Sequence, residues 1–243
     1  MDWARLADRL VLWIREQVLN AGCRGVVVGM SGGIDSSVLA VLCYRAFPQD
    51  MLGVLMPCHS NQEDGEHARA IANKFSIPTK VVVLDSVFDT LLGALPSDGT
   101  ESNASQVAKV NLKVRLRMLT LYYFANQLRY MVAGASNRSE LSVGYFTKYG
   151  DGGADILPLG NLVKGQVREL AHFLGIPQLI IDKPPSAGLW PGQTDEGEIG
   201  FSYEELDRYL VTGQASTELR EEIESRIAAN AHKHLPPPVA SLS

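Results

Sequence analysis

Apolar positions along this chain alternate between two rhythms. Trp3 to Ala21 carries them at helical spacing, with Leu6, Leu10, Trp13, Ile14 and Val18 on one face. Gly25 to Gly29 is a short β-branched run and reads as a buried strand. Val38 to Arg45 returns to a helical pattern. The order then repeats. Strands are expected at Met51–Met56 and Lys80–Asp85, and helices at Glu63–Phe75 and Val87–Leu95. A long helix, Ser105 to Gln127, is apolar on more than one side and so expects more than one neighbour. Tyr130–Gly134 reads as the fourth strand and Leu179-Ile180-Ile181 as a fifth. Helices are expected from Lys164 to Leu174, stopped by Gly175 and Pro177, then at Tyr203–Leu210 and Thr217–Ala231. Successive strand–helix units imply parallel strands joined by right-handed crossovers. The expected fold is α/β: a Rossmann-like, three-layer α/β/α arrangement with a mainly parallel five-stranded sheet, residues 1–243 forming one domain.

Ligands of such sheets bind beyond the carboxyl ends of the strands. The first strand ends there in Gly29-Met30-Ser31-Gly32-Gly33-Ile34-Asp35-Ser36-Ser37, which opens directly into a helix. A helix start presents unpaired N–H groups and a positive dipole end, and paired glycines let the backbone approach a phosphate. The loop has neither the lysine of a Walker A motif nor the G-x-G-x-x-G spacing. It carries Asp35 instead. A carboxylate beside a phosphate cradle repels it unless a cation lies between, and Mg²⁺ suits one or two carboxylates plus phosphate oxygens. The fourth strand ends in a second small-residue turn, Gly134-Ala135-Ser136-Asn137, and Glu140 behind it can face Asp35 and complete that Mg²⁺ site. The plain alternatives are helix capping by Asp35 and a helix-dipole role for Glu140. Tyr145 to Asp155 combines aromatic rings for stacking, aspartates for ribose hydroxyls and Lys148 for an anion.

Composition narrows the classes. The chain has 243 residues, 46 % hydrophobic, with a formal net charge of −5. No broad basic field argues for nucleic acid as a partner. Cys23, Cys43 and Cys58 have no metal-ligand spacing and read as thiols in a reducing compartment. His59 and His67 read as solvated surface histidines. No apolar stretch reaches the length of a membrane span and the N-terminus does not read as a signal peptide, so the expected location is cytoplasmic. The proline- and glycine-rich stretch from Pro184 to Glu196 is too long for a plain connector and is expected to act as a lid.

Ser31-Gly32-Gly33-Ile34-Asp35-Ser36 resembles the pyrophosphate-binding loop of the ATP pyrophosphatase, or adenine nucleotide α-hydrolase-like, superfamily. The later motifs are similar to those of the NAD synthetases: Asn111 to Met118, the loop ending Asp151-Gly152-Gly153-Ala154-Asp155, Lys183-Pro184-Pro185-Ser186-Ala187, Gln193-Thr194-Asp195-Glu196 and His232-Lys233. The resemblance covers nearly the whole chain and implies the ammonia-dependent form, a ligase that amidates deamido-NAD with ATP through an acyl-adenylate. It implies that Gly29, Met30, Ser31, Gly32, Gly33, Ile34, Asp35, Ser36, Ala135, Lys164 and Ser186 hold ATP. Asp35 and Glu140 would hold Mg²⁺, with Asp35 and Lys164 as the catalytic pair. Arg115, Lys148, Asp155, His232 and Lys233 would bind deamido-NAD, and Gln62 would lie near the adenine. Ala135 departs from the family, which often has a threonine there that contacts ATP. The resemblance also implies a homodimer and allows a separate glutaminase partner. Two rivals compete: another adenylating amidotransferase or tRNA-thiolating enzyme, which calls for a reactive cysteine and a basic face, and a non-catalytic nucleotide sensor, which can dispense with Asp35 and Glu140.

Overall fold

The computed structural model describes residues 1–96, 103–186 and 194–240. In chain order the elements are α1 (Trp3–Asn20), β1 (Gly25–Gly29), α2 (Ile34–Ala46), β2 (Met51–Leu55), α3 (Gln62–Phe75), β3 (Thr79–Val81), α4 (Asp85–Ala94), α5 (Asn103–Leu128), β4 (Tyr130–Ala133), α6 (Arg138–Ser142), α7 (Lys164–Leu174), α8 (Gln178–Ile181), α9 (Asp195–Ile199), α10 (Tyr203–Thr212) and α11 (Thr217–Asn230). Single 3₁₀ turns lie at Asp151–Gly153 and Ala231–Lys233.

The sheet has the order β3-β2-β1-β4 and every pairing is parallel. Strand pleating divides the core between its two faces. Val26 and Val28 of β1 point into a cluster with Ile14, Leu39, Leu42, Ile71 and Leu170, under α1, α2, α3 and α7. Val27 points the other way, with Val54, Phe88, Leu116, Leu121 and Val132, under α4 and α5. A satellite cluster of Ile199, Phe201, Tyr203, Leu206 and Ile223 joins α9, α10 and α11 to Val143, just past α6. The three expected layers are therefore present.

The chain runs outward from β1 to β2 and β3, then returns across β1 to place β4 on its other side. This reversal lies between β1 and β4, and a parallel sheet opens a crevice at such a point.

Among the described residues the sheet has four strands, not five. Leu179-Ile180-Ile181 belongs to the short helix α8, entered through Pro177, whose carbonyl accepts from Ile180 N at 2.9 Å. Ile180 and Ile181 are buried against the α7 side of the core. A three-residue apolar run satisfies helix and strand periodicity alike, so burial, not pattern, decides it. Strand β3 also stops at Val81, and Asp85 opens α4 instead of closing the strand. His67 is buried, not solvated: α3 turns it inward beside the Asp35-bearing loop, and its Nδ1 has no partner. His59 does lie at the surface, paired with Asp89 at 2.8 Å. Residues 187–193, the middle of the expected lid, and 97–102 fall outside the described residues.

Candidate active site

The loop between β1 and α2 is shaped by one backbone requirement. Gly32 has φ +82°, and a Cβ there would lie 2.1 Å from the carbonyl oxygen of Asp64. Only glycine meets both conditions without strain. Gly33 caps α2 without any side-chain hydrogen bond, which leaves the first N–H groups of the helix without a capping partner. The hydroxyls brace the loop from within: Ser36 and Ser37 donate to the Gly33 carbonyl at 3.0 and 2.8 Å, and Ser31 and Ser36 lie 3.0 Å apart.

The crevice holds a cavity of about 540 Å³. Gly29, Met30, Ser31, Gly33, Ile34, Asp35, Ala135, Glu140, Lys164 and Ser186 of the expected ATP and Mg²⁺ set line it, and so does Gln62. Gly32 and Ser36 are not among its walls; they fold the loop. Ala135 presents a bare methyl group, and its neighbour Ser136 also lines the cavity.

Asp35 and Glu140 converge as expected, through a device that sequence reasoning does not identify. Asn137 caps α6: its Oδ1 accepts from Glu140 N at 3.1 Å, while Glu140 Oε2 accepts from Asn137 N at 3.2 Å. The Asn137 amide then donates to Asp35 Oδ1 at 2.9 Å. One capping box therefore orients both carboxylates. The Asn-x-x-Glu spacing is the signal that could have found it.

Between the two acids sits Lys164. Its Nζ is 2.5 Å from Asp35 Oδ2 and 3.1 Å from Glu140 Oε1, and the residue is 2 % exposed. Ser139 Oγ accepts from the Lys164 backbone N–H at 3.0 Å and fixes the start of α7. Burial alone would depress the ammonium, but Asp35 and Glu140 outweigh it and hold Lys164 above its ordinary value. Burial pushes Glu140 up to about 7, against the pull of Lys164 and with the push of Asp35. A third acid, Asp195, is buried beside them and raised for the same reason. Its two oxygens accept from Tyr145 and Tyr203, each at 3.2 Å. In sequence, Tyr145 stands as a stacking ring and Asp195 within the Gln193–Glu196 motif, neither with a role in this cluster, and Tyr203 only as the start of a helix. Asp195 and Tyr203 come from distant segments that the α9–α10 hairpin folds inward.

Three acids thus face one ammonium in a closed site, an arrangement short of positive charge. The hard oxygens of Asp35 and Glu140, oriented by Asn137, fit Mg²⁺ shared with phosphate. Among the described residues no group of three or more His, Cys, Asp or Glu forms an all-protein metal cage.

The second expected set gathers elsewhere. Arg115 Nε donates to the Lys148 carbonyl at 3.2 Å, and Lys148 Nζ donates to the His232 carbonyl at 2.9 Å. Lys233 Nζ donates to the carbonyls of Gly144 and Phe146 at 2.7 and 3.1 Å. These four residues therefore join the loop after α6 to the end of α11. Asp155 accepts from Tyr122 at 2.7 Å and from Val132 N at 2.8 Å, which anchors the loop to β4. Arg115 lines a separate groove of about 450 Å³ with Leu112, Leu119, Tyr122 and Tyr149, while Lys148, Asp155, His232 and Lys233 line neither cavity.

The NAD synthase family model matches residues 6–237. The NH(3)-dependent NAD(+) synthetase of Carboxydothermus hydrogenoformans is 49 % identical over 242 residues, covering 100 % of this chain and 99 % of its own. Among solved structures, the NMN synthetase from Francisella tularensis superposes with a TM-score of 0.93 at 35 % identity, covering 100 % of both chains. The NH3-dependent NAD synthetase from Campylobacter jejuni gives a TM-score of 0.81 at 30 % identity, covering 99 % of this chain and 100 % of its own.

Proposed function

The chain belongs to the NAD synthase family, and from that premise we propose how its residues carry out the reaction. The activity is ATP-dependent amidation of deamido-NAD by ammonia, a ligase reaction that forms a C–N bond. A nicotinate carboxylate repels nucleophiles. Its oxygen attacks the α-phosphorus of ATP, the bond from that phosphorus to the β-phosphate oxygen breaks, and pyrophosphate leaves. Ammonia then attacks the acyl carbon, AMP departs with the carboxylate oxygen, and a proton is lost to give the amide.

In this reading the loop from Gly29 to Ser36 cradles the leaving pyrophosphate with its N–H groups, and Lys164 adds a buried positive charge. Asp35 and Glu140 would hold Mg²⁺, which when bound neutralises phosphate oxygens. Arg115, Lys148, Asp155, His232 and Lys233 bind deamido-NAD on the α5 side, and Ser186 meets ATP from the segment after α8. The observation that carries the reading is the Asp35–Asn137–Glu140–Lys164 cluster at the sheet reversal, directly behind the open start of α2. The same reading puts the protein in the cytoplasm, and among the described residues no helix is long and apolar enough to cross a membrane. Exposed Val107, Leu119 and Tyr123 on α5 support a homodimer, and a separate glutaminase is a further candidate partner.

The test is an assay with ATP, Mg²⁺ and deamido-NAD, comparing ammonia with glutamine. Ammonia should support turnover and glutamine alone should not. Asp35→Ala should abolish pyrophosphate release while deamido-NAD still binds; unimpaired release would sink the assignment. A second reading rests on the likeness to the Francisella NMN synthetase: the same chemistry on the mononucleotide acid. Running both acids in the one assay decides between them.

A further inference from the structure

Two arginines of α5 lie two residues apart and so point to opposite sides of the helix. Arg115 faces the outer groove. Arg117 faces the main cavity and lines it. Its Nε donates to the Met56 carbonyl at 3.2 Å and its Nη2 to Ser60 Oγ at 3.0 Å. Both partners are neutral. Among the described residues no carboxylate lies within salt-bridge distance of it.

A guanidinium offers five N–H donors, and these two bonds use two of them. Nη1 makes no described hydrogen bond and is not sealed in protein, because His67 Nδ1 is the one fully buried side-chain nitrogen or oxygen without a partner among the described residues. Since Arg117 lines the cavity, the Nη1 donors are available to a ligand there. Burial draws the Arg117 guanidinium below its ordinary value, with Asp64 and Asp151, on the same cavity wall but outside salt-bridge distance, opposing only part of it. A buried, oriented, under-used cation at a cavity wall is costly unless something negative arrives.

The position says which negative group. Met56 and Ser60 follow β2, one strand away from the loop and lysine assigned to the leaving pyrophosphate. Around them the cavity wall carries apolar Leu55, Met56, Pro57 and Val81 beside polar Asn61 and Gln62, which suits an adenosine. The phosphate that links adenosine to pyrophosphate lies between these two ends. We propose that Arg117 binds the α-phosphate of the nucleotide and keeps hold of it in the acyl-adenylate after pyrophosphate has gone. This rests on the reading of the cavity as an ATP site. It gives the intermediate an anchor independent of the groups that leave with pyrophosphate.

The alternative is a clamp that merely ties α5 to the end of β2. AMP and adenosine distinguish the two, since they differ only in that phosphate. Their dissociation constants are measured by calorimetry for the wild type, Arg117→Gln and Arg117→Lys, in chelator. The wild type should bind AMP more tightly than adenosine. Arg117→Gln should weaken AMP by about ten- to a hundredfold and leave adenosine within about twofold, with Arg117→Lys intermediate. Equal losses for both ligands, or an unchanged preference for AMP, would overturn the proposal. Should the glutamine variant fail to fold, the AMP-to-adenosine ratio of the lysine variant separates the same two outcomes. A wild type that binds neither ligand defeats the nucleotide reading itself.

Discussion

Replacing Glu140 with glutamine should make the ligand-free protein more stable and the enzyme inactive. Burial pushes the Glu140 carboxyl from an ordinary 4.5 to about 7, with Lys164 opposing and Asp35 adding to the rise. Displacing a carboxyl by that much costs its ionised form roughly 3 kcal/mol. Between these two values the folded state keeps a proton that the unfolded chain has released. Stability therefore falls as pH rises through the window, and the full cost is in place above about pH 7. Glutamine fills the same space and carries no charge, but it has one oxygen to share between the Asn137 N–H and Lys164, so one of these two bonds is lost. Lys164 loses one of two counter-ions, which offsets part of the gain. The net expectation is about 1–3 kcal/mol of stabilisation near pH 8, a rise in Tm of several degrees, shrinking to nothing near pH 4.5. Urea unfolding of both proteins in chelator, across this pH range, measures the gap, and the amidation assay runs beside it. A variant less stable than the wild type near pH 8, or a gap that does not widen with pH, would refute the reasoning about charge in this site.

Other outcomes follow from single contacts. Gly32→Ala forces a side chain into a left-handed turn already pressed on the Asp64 carbonyl; it should cost about 1–3 kcal/mol in thermal unfolding and lower ATP affinity more than deamido-NAD affinity. Asn137→Ala removes the cap of α6 and the only described hydrogen bond to Asp35 Oδ1; kcat should fall about tenfold or more, with a stability loss of about 1 kcal/mol in calorimetry. Tyr122→Phe removes the hydroxyl's bonds to Asp155 and the Gly153 carbonyl and leaves Asp155 held by Val132 N alone; KM for deamido-NAD should rise roughly tenfold while KM for ATP stays put, which steady-state kinetics reads directly.

The strands next to the site are readable because each ends in a turn of small residues, and Gly32-Gly33 and Gly134-Ala135 mark the same edge. Parallel order follows from strand–helix alternation alone. What pattern does not supply is convergence. Nothing in the spacing of Asp35, Glu140 and Lys164 states that one ammonium lies between two carboxylates, because that contact depends on how β4 docks. Asp195 and Tyr203 are hidden for a related reason: their segment folds back through the satellite cluster of Phe201 and Leu206. Ile180 and Ile181 mislead because a short apolar run has no period to measure. His67 misleads because a polar residue on a mixed helix points to solvent by pattern, and only the position of the neighbouring loop turns that face inward.

The crossing of β4 over β1 also dates the site during folding. The β1–β2 and β2–β3 pairings join strands close in sequence, whereas β1 meets β4 from far along the chain and the Asn137–Asp35 contact closes a span of 102 positions. Closing so long a loop is slow to be rewarded, so the early, locally paired sheet forms with its glycine turn in place but with Asp35 still lacking its partners. Without β4 docked, the glycine turn stands without Asn137 and Glu140, so the nucleotide site is complete only when the chain's longest-range strand pairing is made.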